Sequence, residues 1–209
     1  MQPTQQQILD EALDLFIKQG YEKTSLSDIS KQIGITKPAI YYYYESKNEL
    51  VLAVLTRFLD QVEQSLYNIL HKEQSTQSMI QDLLTSLDNT GLIWFVQIGD
   101  RNQPDTIDFD HYLLLFEGIK NFPEIRQRLN SMYTNAINLM NQKIRQAQNL
   151  GEIRPDIDPE VLVFQIFSIL EGAYLLSIFY PNEKMSSIGK AMFDNVWKGI
   201  ENNLAMDQA

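Results

Sequence analysis

Apolar positions recur at helical spacing from near the start of the chain. Ile8, Ala12, Leu15 and Phe16, with Gln19 a turn on, fall at i, i+4, i+7, i+8 and i+11, the stripe of an amphipathic helix stopped by Gly20. In "TSLSDISKQIG" the pattern predicts a second helix with Ser27 as its N-cap, Ile29 and Ile33 on one face and Gly34 as its stop. A short third helix over 38–44 starts with Pro38 in its first turn, where a missing N–H does no harm. Ser46, with Glu49 three residues on, forms a capping box for a long helix running to about His71. The turn-rich breaks "GDRNQPDTID", "NFP", "GEIRPDID" and "YPNE" then separate helices expected at 76–98, 109–121, 123–150, 159–180 and 185–204. No alternating strand pattern and no internal repeat competes with this reading. The expectation is an all-α chain of about nine helices, three small ones followed by a larger bundle.

Composition narrows the chemistry. The 209 residues, 44% hydrophobic with no cysteine, suffice for a large core and exclude disulfides and thiolate catalysis. The N-terminus lacks a basic stretch leading into an apolar one. Apolar runs such as "YLLLF" fall far short of the ~20 residues that span a bilayer. A cytoplasmic location with no membrane partner is the expectation. His71 and His111 stand forty residues apart, and no nucleophile elbow or glycine-rich phosphate loop is present. "DTIDFDH" lacks the glycine and terminal glutamate of a calcium loop, so it reads as a solvated loop and helix start. No catalytic constellation, metal site or cofactor is expected.

The net charge of -10 argues against a generally basic nucleic-acid binder; residues 1–50 hold five lysines against seven acids. Any DNA contact must come from a small cationic face on an acidic body. The stretch "YYYYESK" supplies one. Four successive residues on a helix, each turned by about 100°, cover most of its circumference, so these tyrosines cannot all face one core. Ile40 and Tyr44 share a face and should pack inward against Phe16, Ile29 and Ile33, leaving Tyr41, Tyr42 and Tyr43 outside.

Two short helices joined by "GIT" describe a helix-turn-helix, whose second helix enters the DNA major groove. Tyrosines there offer a flat apolar body to sugars and thymine methyls and a hydroxyl to phosphate. Lys37 can reach a guanine edge or a phosphate. Lys47, with the free N–H groups of its helix start, can hold another phosphate. Thr24 and Ser27 are placed for one across the groove.

Residues 8–55 as a whole resemble the DNA-binding domain of the tetracycline-repressor (TetR) family of bacterial regulators. The matching positions are Ile8, Ala12, Phe16, Gly20, Tyr21, Thr24, Ile29, Gly34, Ile35, Ile40, Tyr41, Tyr43, Tyr44, Ser46, Lys47 and Leu50. Ser30 departs from the usual alanine, and Glu45 puts an acid beside a presumed phosphate, which should weaken binding modestly. Residues 150–176 also resemble the family's C-terminal half.

The resemblance implies a helix-turn-helix DNA-binding domain over 1–46 and a ligand-binding and dimerisation domain over 47–209. DNA contacts are expected from Thr24, Ser27, Thr36, Lys37, Pro38, Ala39, Tyr41, Tyr42, Tyr43 and Lys47. A homodimer would form through Val163, Phe167, Leu170, Tyr174, Phe193, Val196, Trp197 and Ile200, from two helices per chain, with burial inside one chain the competing explanation for each. A largely apolar effector would sit among Trp94, Phe95, Gln97, Tyr112, Phe116, Phe167, Glu171 and Tyr174, for each of which core packing is the competing explanation. The implied function is a non-enzymatic, ligand-responsive repressor of a palindromic operator. A same-fold nucleoid or division protein without an effector is the alternative.

Overall fold

The computed structural model describes residues 5–89, 109–180 and 185–202, in which every regular element is a helix. In chain order these are α1 (Gln5–Gln19), α2 (Leu26–Ile33), α3 (Lys37–Tyr41), α4 (Lys47–His71), α5 (Thr76–Asn89), α6 (Phe109–Asn121), α7 (Pro123–Asn149), α8 (Pro159–Phe179) and α9 (Met185–Ile200). The expected boundaries agree to within a residue or two for most of them. Residues 90–98, expected to continue α5, lie outside the described residues.

Two local expectations are corrected. The N-cap of α2 is Ser25, not Ser27: its hydroxyl accepts from the Asp28 N–H while the Asp28 carboxylate accepts from the Ser25 N–H, a reciprocal capping box. Ser27 lies inside the first turn. The helix read over 38–44 begins one residue earlier and is shorter, ending at Tyr41, and the remaining tyrosines follow in a turn closed on Ile40.

The described chain divides into two compact units, one holding 5–62 and 109–130, the other 63–89, 131–180 and 185–202. In the first, α1 packs on α2 and α6 around buried Ile8, Ala12, Leu15, Phe16, Leu26, Ile29, Ile40, Tyr44 and Leu50. Gly34, at φ +76°, lets Ile35 N–H reach Ser30 O (2.9 Å) and Gly34 N–H reach Lys31 O (3.2 Å), satisfying the last carbonyls of α2 and turning the chain into α3. Ser30, the residue standing where alanine is usual, is buried and donates its hydroxyl to Ser27 O at 2.9 Å, which removes the cost of burying it.

In the second unit α5 packs on α9 and α8, joining Met79, Ile80, Leu83 and Leu84 to a core with Val163, Ile166, Leu170 and Phe193. The α7–α8 connection turns at Gly151 (φ +76°) and is pinned to the end of α9 by Arg154 N–H to Ile200 O (2.9 Å) and Asn202 N–H to Glu152 O (3.1 Å). Asp158 caps α8 by accepting from Glu160 N–H, with Pro159 in the first turn.

Candidate nucleic-acid interface

The answer to the four tyrosines is a division of labour around α3 and the turn after it. Tyr44 is 3% exposed, and burial pushes its hydroxyl above the ordinary value. Tyr43 is half-buried, its ring set edge-on to Tyr42 at 5.0 Å. Tyr41 and Tyr42 are 46% and 83% exposed. Ile40, fully buried, anchors the helix that carries them. At 83% exposure the Tyr42 ring adds little to the core of this domain and stays accessible from outside.

Lys37 opens the same surface. Its ammonium lies 5.7 Å from the centre of the Tyr41 ring, close enough for a weak cation–π contact that holds the charge over the exposed face. Thr36 caps α3 without using its hydroxyl in a capping hydrogen bond, and Thr36, Lys37 and Pro38 are exposed, with Ala39 half-buried beside them. Exposed polar and aromatic groups of this kind suit phosphate and base-edge contacts.

Two expected phosphate contacts change character. Thr24 is 1% exposed, and its hydroxyl is set between the carbonyls of Gly20 (2.9 Å) and Leu15 (3.2 Å) at the end of α1. It braces that helix end from inside and has no face toward a groove, so the phosphate role is withdrawn. Lys47, half-buried, lies 4.2 Å over the Tyr21 ring and donates to Glu22 O at 3.2 Å. Its first function is to fasten the start of α4 to the α1–α2 connection, with two ammonium protons left for a phosphate. Ser27, half-buried, keeps its place on α2. Glu45 is exposed and gives its N–H to the Glu49 carboxylate (2.6 Å), extending the cap of α4.

Sequence reasoning missed the centre of this fastening. Tyr21 meets Phe16 at 6.1 Å and Phe122 at 6.4 Å, donates its hydroxyl to Asn48 at 2.5 Å, and receives Lys47 on its face. One ring thus ties together α1, the start of α4 and the α6–α7 corner. The "GY" that follows α1 was visible, but its partners lie up to about a hundred residues away and leave no local signal.

The body residues expected at sites divide as follows. Val163, Phe167, Leu170, Phe193 and Ile200 are each at most 8% exposed within their own chain, so the competing explanation, core packing, accounts for their apolar side chains. Val196 and Trp197 are half-buried, with Trp197 stacked on Phe193. The outward apolar face belongs to the other side of α8: Val161, Phe164, Leu175, Leu176 and Phe179, with Ser168 and Gly172 between them. The signal for it was in the sequence, because α8 is apolar all the way round, and a helix of that kind must cover both sides.

Of the pocket candidates, Trp94, Phe95 and Gln97 and the side chains of Tyr112 and Tyr174 lie outside the described residues, as do the side chains of "DTIDFDH". Phe116 is 58% exposed on α6. Phe167 and Glu171 lie together on α8 beside Tyr133 of α7, a residue not singled out from sequence. Tyr133 donates its hydroxyl to the Glu171 carboxylate and sets its ring edge-on to Phe167 at 5.8 Å. Burial pushes the Glu171 carboxyl above the usual carboxylate range, and the Tyr133 hydrogen bond only partly offsets this. No helix among the described residues is long and apolar enough to cross a membrane.

Comparison with known proteins accounts for this arrangement. Residues 8–54 match the bacterial regulatory proteins of the tetR family, and residues 114–189 match the tetracyclin repressor-like C-terminal domain. The HTH-type transcriptional regulator TtgW of Pseudomonas putida is 30% identical over 117 residues, 47% of this chain and 87% of that protein. Two crystal structures share the fold. One is a transcriptional regulator from Saccharomonospora viridis in complex with choline (19% identity, 94% of this chain and 96% of that one, TM-score 0.71). The other is the regulator FadR from Bacillus subtilis in complex with stearoyl-CoA (15% identity, 95% and 100%, TM-score 0.61). With a helix-turn-helix that presents Lys37, Tyr41 and Tyr42, and an N-terminal and a C-terminal domain both matched, this chain belongs to the tetR family of DNA-binding bacterial transcriptional regulators.

Proposed function

We propose that the protein is a ligand-responsive transcriptional repressor, acting in the cytoplasm as a homodimer on a palindromic operator. The observation that carries this reading is the pair of outward tyrosines and Lys37 on a reading helix whose inward side is locked by Ile40 and Tyr44. In the proposed complex α3 lies in the major groove. Thr36, Lys37, Pro38 and Ala39 face bases and backbone at its leading end, Tyr41, Tyr42 and Tyr43 contact sugars, thymine methyls and phosphates, and Ser27 and Lys47 hold phosphates at the two edges.

Dimerisation is proposed on the exposed face of α8. Val161, Phe164, Leu175, Leu176 and Phe179 form an apolar stripe too long for a monomer to leave in water, and small Ser168 and Gly172 at its middle would let two helices approach closely. Two chains would then offer two α3 helices to half-sites about one helical turn, ~34 Å, apart. A small, largely apolar effector in the body would favour a dimer that no longer matches that spacing. Coupling of ~1–3 kcal/mol, a 5- to 150-fold change in affinity, is usual for such allostery. Choline and stearoyl-CoA differ so much that the shared fold leaves the effector's chemistry to be argued from this chain's own residues.

The test is selection of bound duplexes from a random DNA library by the purified protein, with Tyr42→Ala in parallel. The expected result is a palindrome enriched by the wild type and lost or strongly weakened in the variant, whose fold an 83%-exposed side chain does not support. Absence of any enriched sequence with the wild type, with or without candidate effectors, would sink the reading.

A further inference from the structure

Glu171 is the buried charge that the DNA-binding reading leaves unused. It sits on α8 at the border between the core residues Phe167 and Leu170 and the outward apolar face, half-buried, with one carboxylate oxygen taken by the Tyr133 hydroxyl. A phenol supplies a hydrogen bond but no charge. Burial opposes its ionisation, and no lysine or arginine among the described residues offsets that burial. A carboxylate that has lost much of its water and gained no cation is an unmatched charge, costly to the fold unless something binds it.

The surroundings say what would match it. The Tyr133 ring, whose hydroxyl meets the carboxylate, stands edge-on to Phe167 at 5.8 Å, and Phe167 lies one helical turn before Glu171 on α8, so two aromatic rings lie in the neighbourhood of the carboxylate. Aromatic faces attract cations and are indifferent or hostile to anions, and a positively charged group between a carboxylate and two rings gains both an ion pair and a cation–π contact. An anion or carboxylic acid at the same place would meet the Glu171 charge directly.

We propose that Glu171, Tyr133 and Phe167 form the charge-recognising end of the effector site, and that the effector is an organic cation: an amine or quaternary ammonium on an apolar body. This rests on the ligand-responsive reading above and adds the sign of the ligand's charge to it. Tyr133 positions the carboxylate and Phe167 supplies the wall.

The experiment uses the full-length protein and four probes of one size and differing charge: hexylammonium, hexyltrimethylammonium, 1-hexanol and hexanoate. Binding is measured by calorimetry, and release from a selected duplex by fluorescence anisotropy. The wild type should bind the two cations at least about tenfold more tightly than 1-hexanol, and hexanoate should bind worst. Glu171→Gln keeps the shape and an acceptor for Tyr133, and should bring the cations down to the level of 1-hexanol without changing 1-hexanol itself. Tyr133→Phe keeps the ring and the carboxylate, and should retain the preference for cations.

Equal binding of cation and alcohol by the wild type would overturn the inference. So would 1-hexanol or hexanoate releasing DNA while the cations do not, although the effector-responsive reading would then stand. Failure of all four probes to bind would overturn the inference and leave the ligand-responsive reading to its own test, the selection of bound duplexes. If Glu171→Gln left cation binding intact and shifted the monomer–dimer equilibrium in sedimentation, the carboxyl would belong to the subunit interface and the inference would fall.

Discussion

At the scale of single residues, neighbours in sequence do different work because their side chains leave the backbone in different directions. Lys37 and Thr24 make the contrast measurable. Lys37 is exposed above the Tyr41 ring, so Lys37→Ala should leave the unfolding midpoint nearly unchanged while relaxing base preference at one operator position. Equal losses on operator and random DNA in a binding titration would make it a phosphate contact instead. Thr24→Val should cost ~0.5–1.5 kcal/mol of stability, the worth of one hydrogen bond, and leave the operator affinity of the folded protein intact.

Glu171 gives a residue-level prediction with a definite sign. Its folded-state carboxyl holds its proton more tightly than the unfolded one, so protonation favours the fold. Its contribution is fully present below the ordinary glutamate value of 4.5 and is lost as pH rises through the raised folded value. Compared with Glu171→Gln, the wild type should therefore lose relative stability in thermal melts as the pH rises above 4.5 and through the raised folded value. A difference between the two that does not change with pH would show that burial is not what perturbs this group.

At the scale of elements, helix ends are decided by hydrogen bonds that several sequences could make equally well. "TSLSD" offers three hydroxyls as caps for α2. Ser25 wins because Asp28, three residues on, closes the reciprocal bond to its N–H. Ser27 has no acid in that position, since three residues on stands Ser30. Ser25→Ala should accordingly cost ~0.5–2 kcal/mol in denaturant unfolding, and Ser27→Ala under ~0.5. Reversal of that order would return the cap to Ser27. The bounds of α4, α6, α7 and α8 were legible to within a residue, because their apolar stripes run for many turns, whereas α9, expected to reach 204, ends at Ile200. The short α3 was misjudged by one residue at its start and three at its end for the opposite reason: five residues hold barely more than one turn of pattern.

At the scale of the whole molecule, the proposed dimer makes the outward face of α8 decide whether there is one reading helix or two. Phe164→Asp puts a charge at 62% exposure, where the monomer tolerates it and a close helix–helix contact does not. Sedimentation should show a monomer with its helical content unchanged, and operator affinity should collapse while weak binding to random DNA persists. A dimer surviving this change and Phe179→Asp would move the interface off α8.

What the sequence determined by itself is whatever depends on neighbours within a few turns. That covers the nine amphipathic or apolar helices among the described residues, the glycine stop and turn of the helix-turn-helix, the inward pair Ile40 and Tyr44, and a family resemblance that both matched domains bear out. What only the tertiary structure decided is which of two equally apolar sides of a helix meets the core. On α8 the sequence pattern is nearly the same all round. Packing against α5 and α9 put Val163, Phe167 and Leu170 inside and left Phe164, Leu175 and Phe179 outside. The same holds for Tyr21 and for the Tyr133–Glu171 pair. Their partners are distant in the chain, and no local pattern encodes a contact that exists only after the helices have packed.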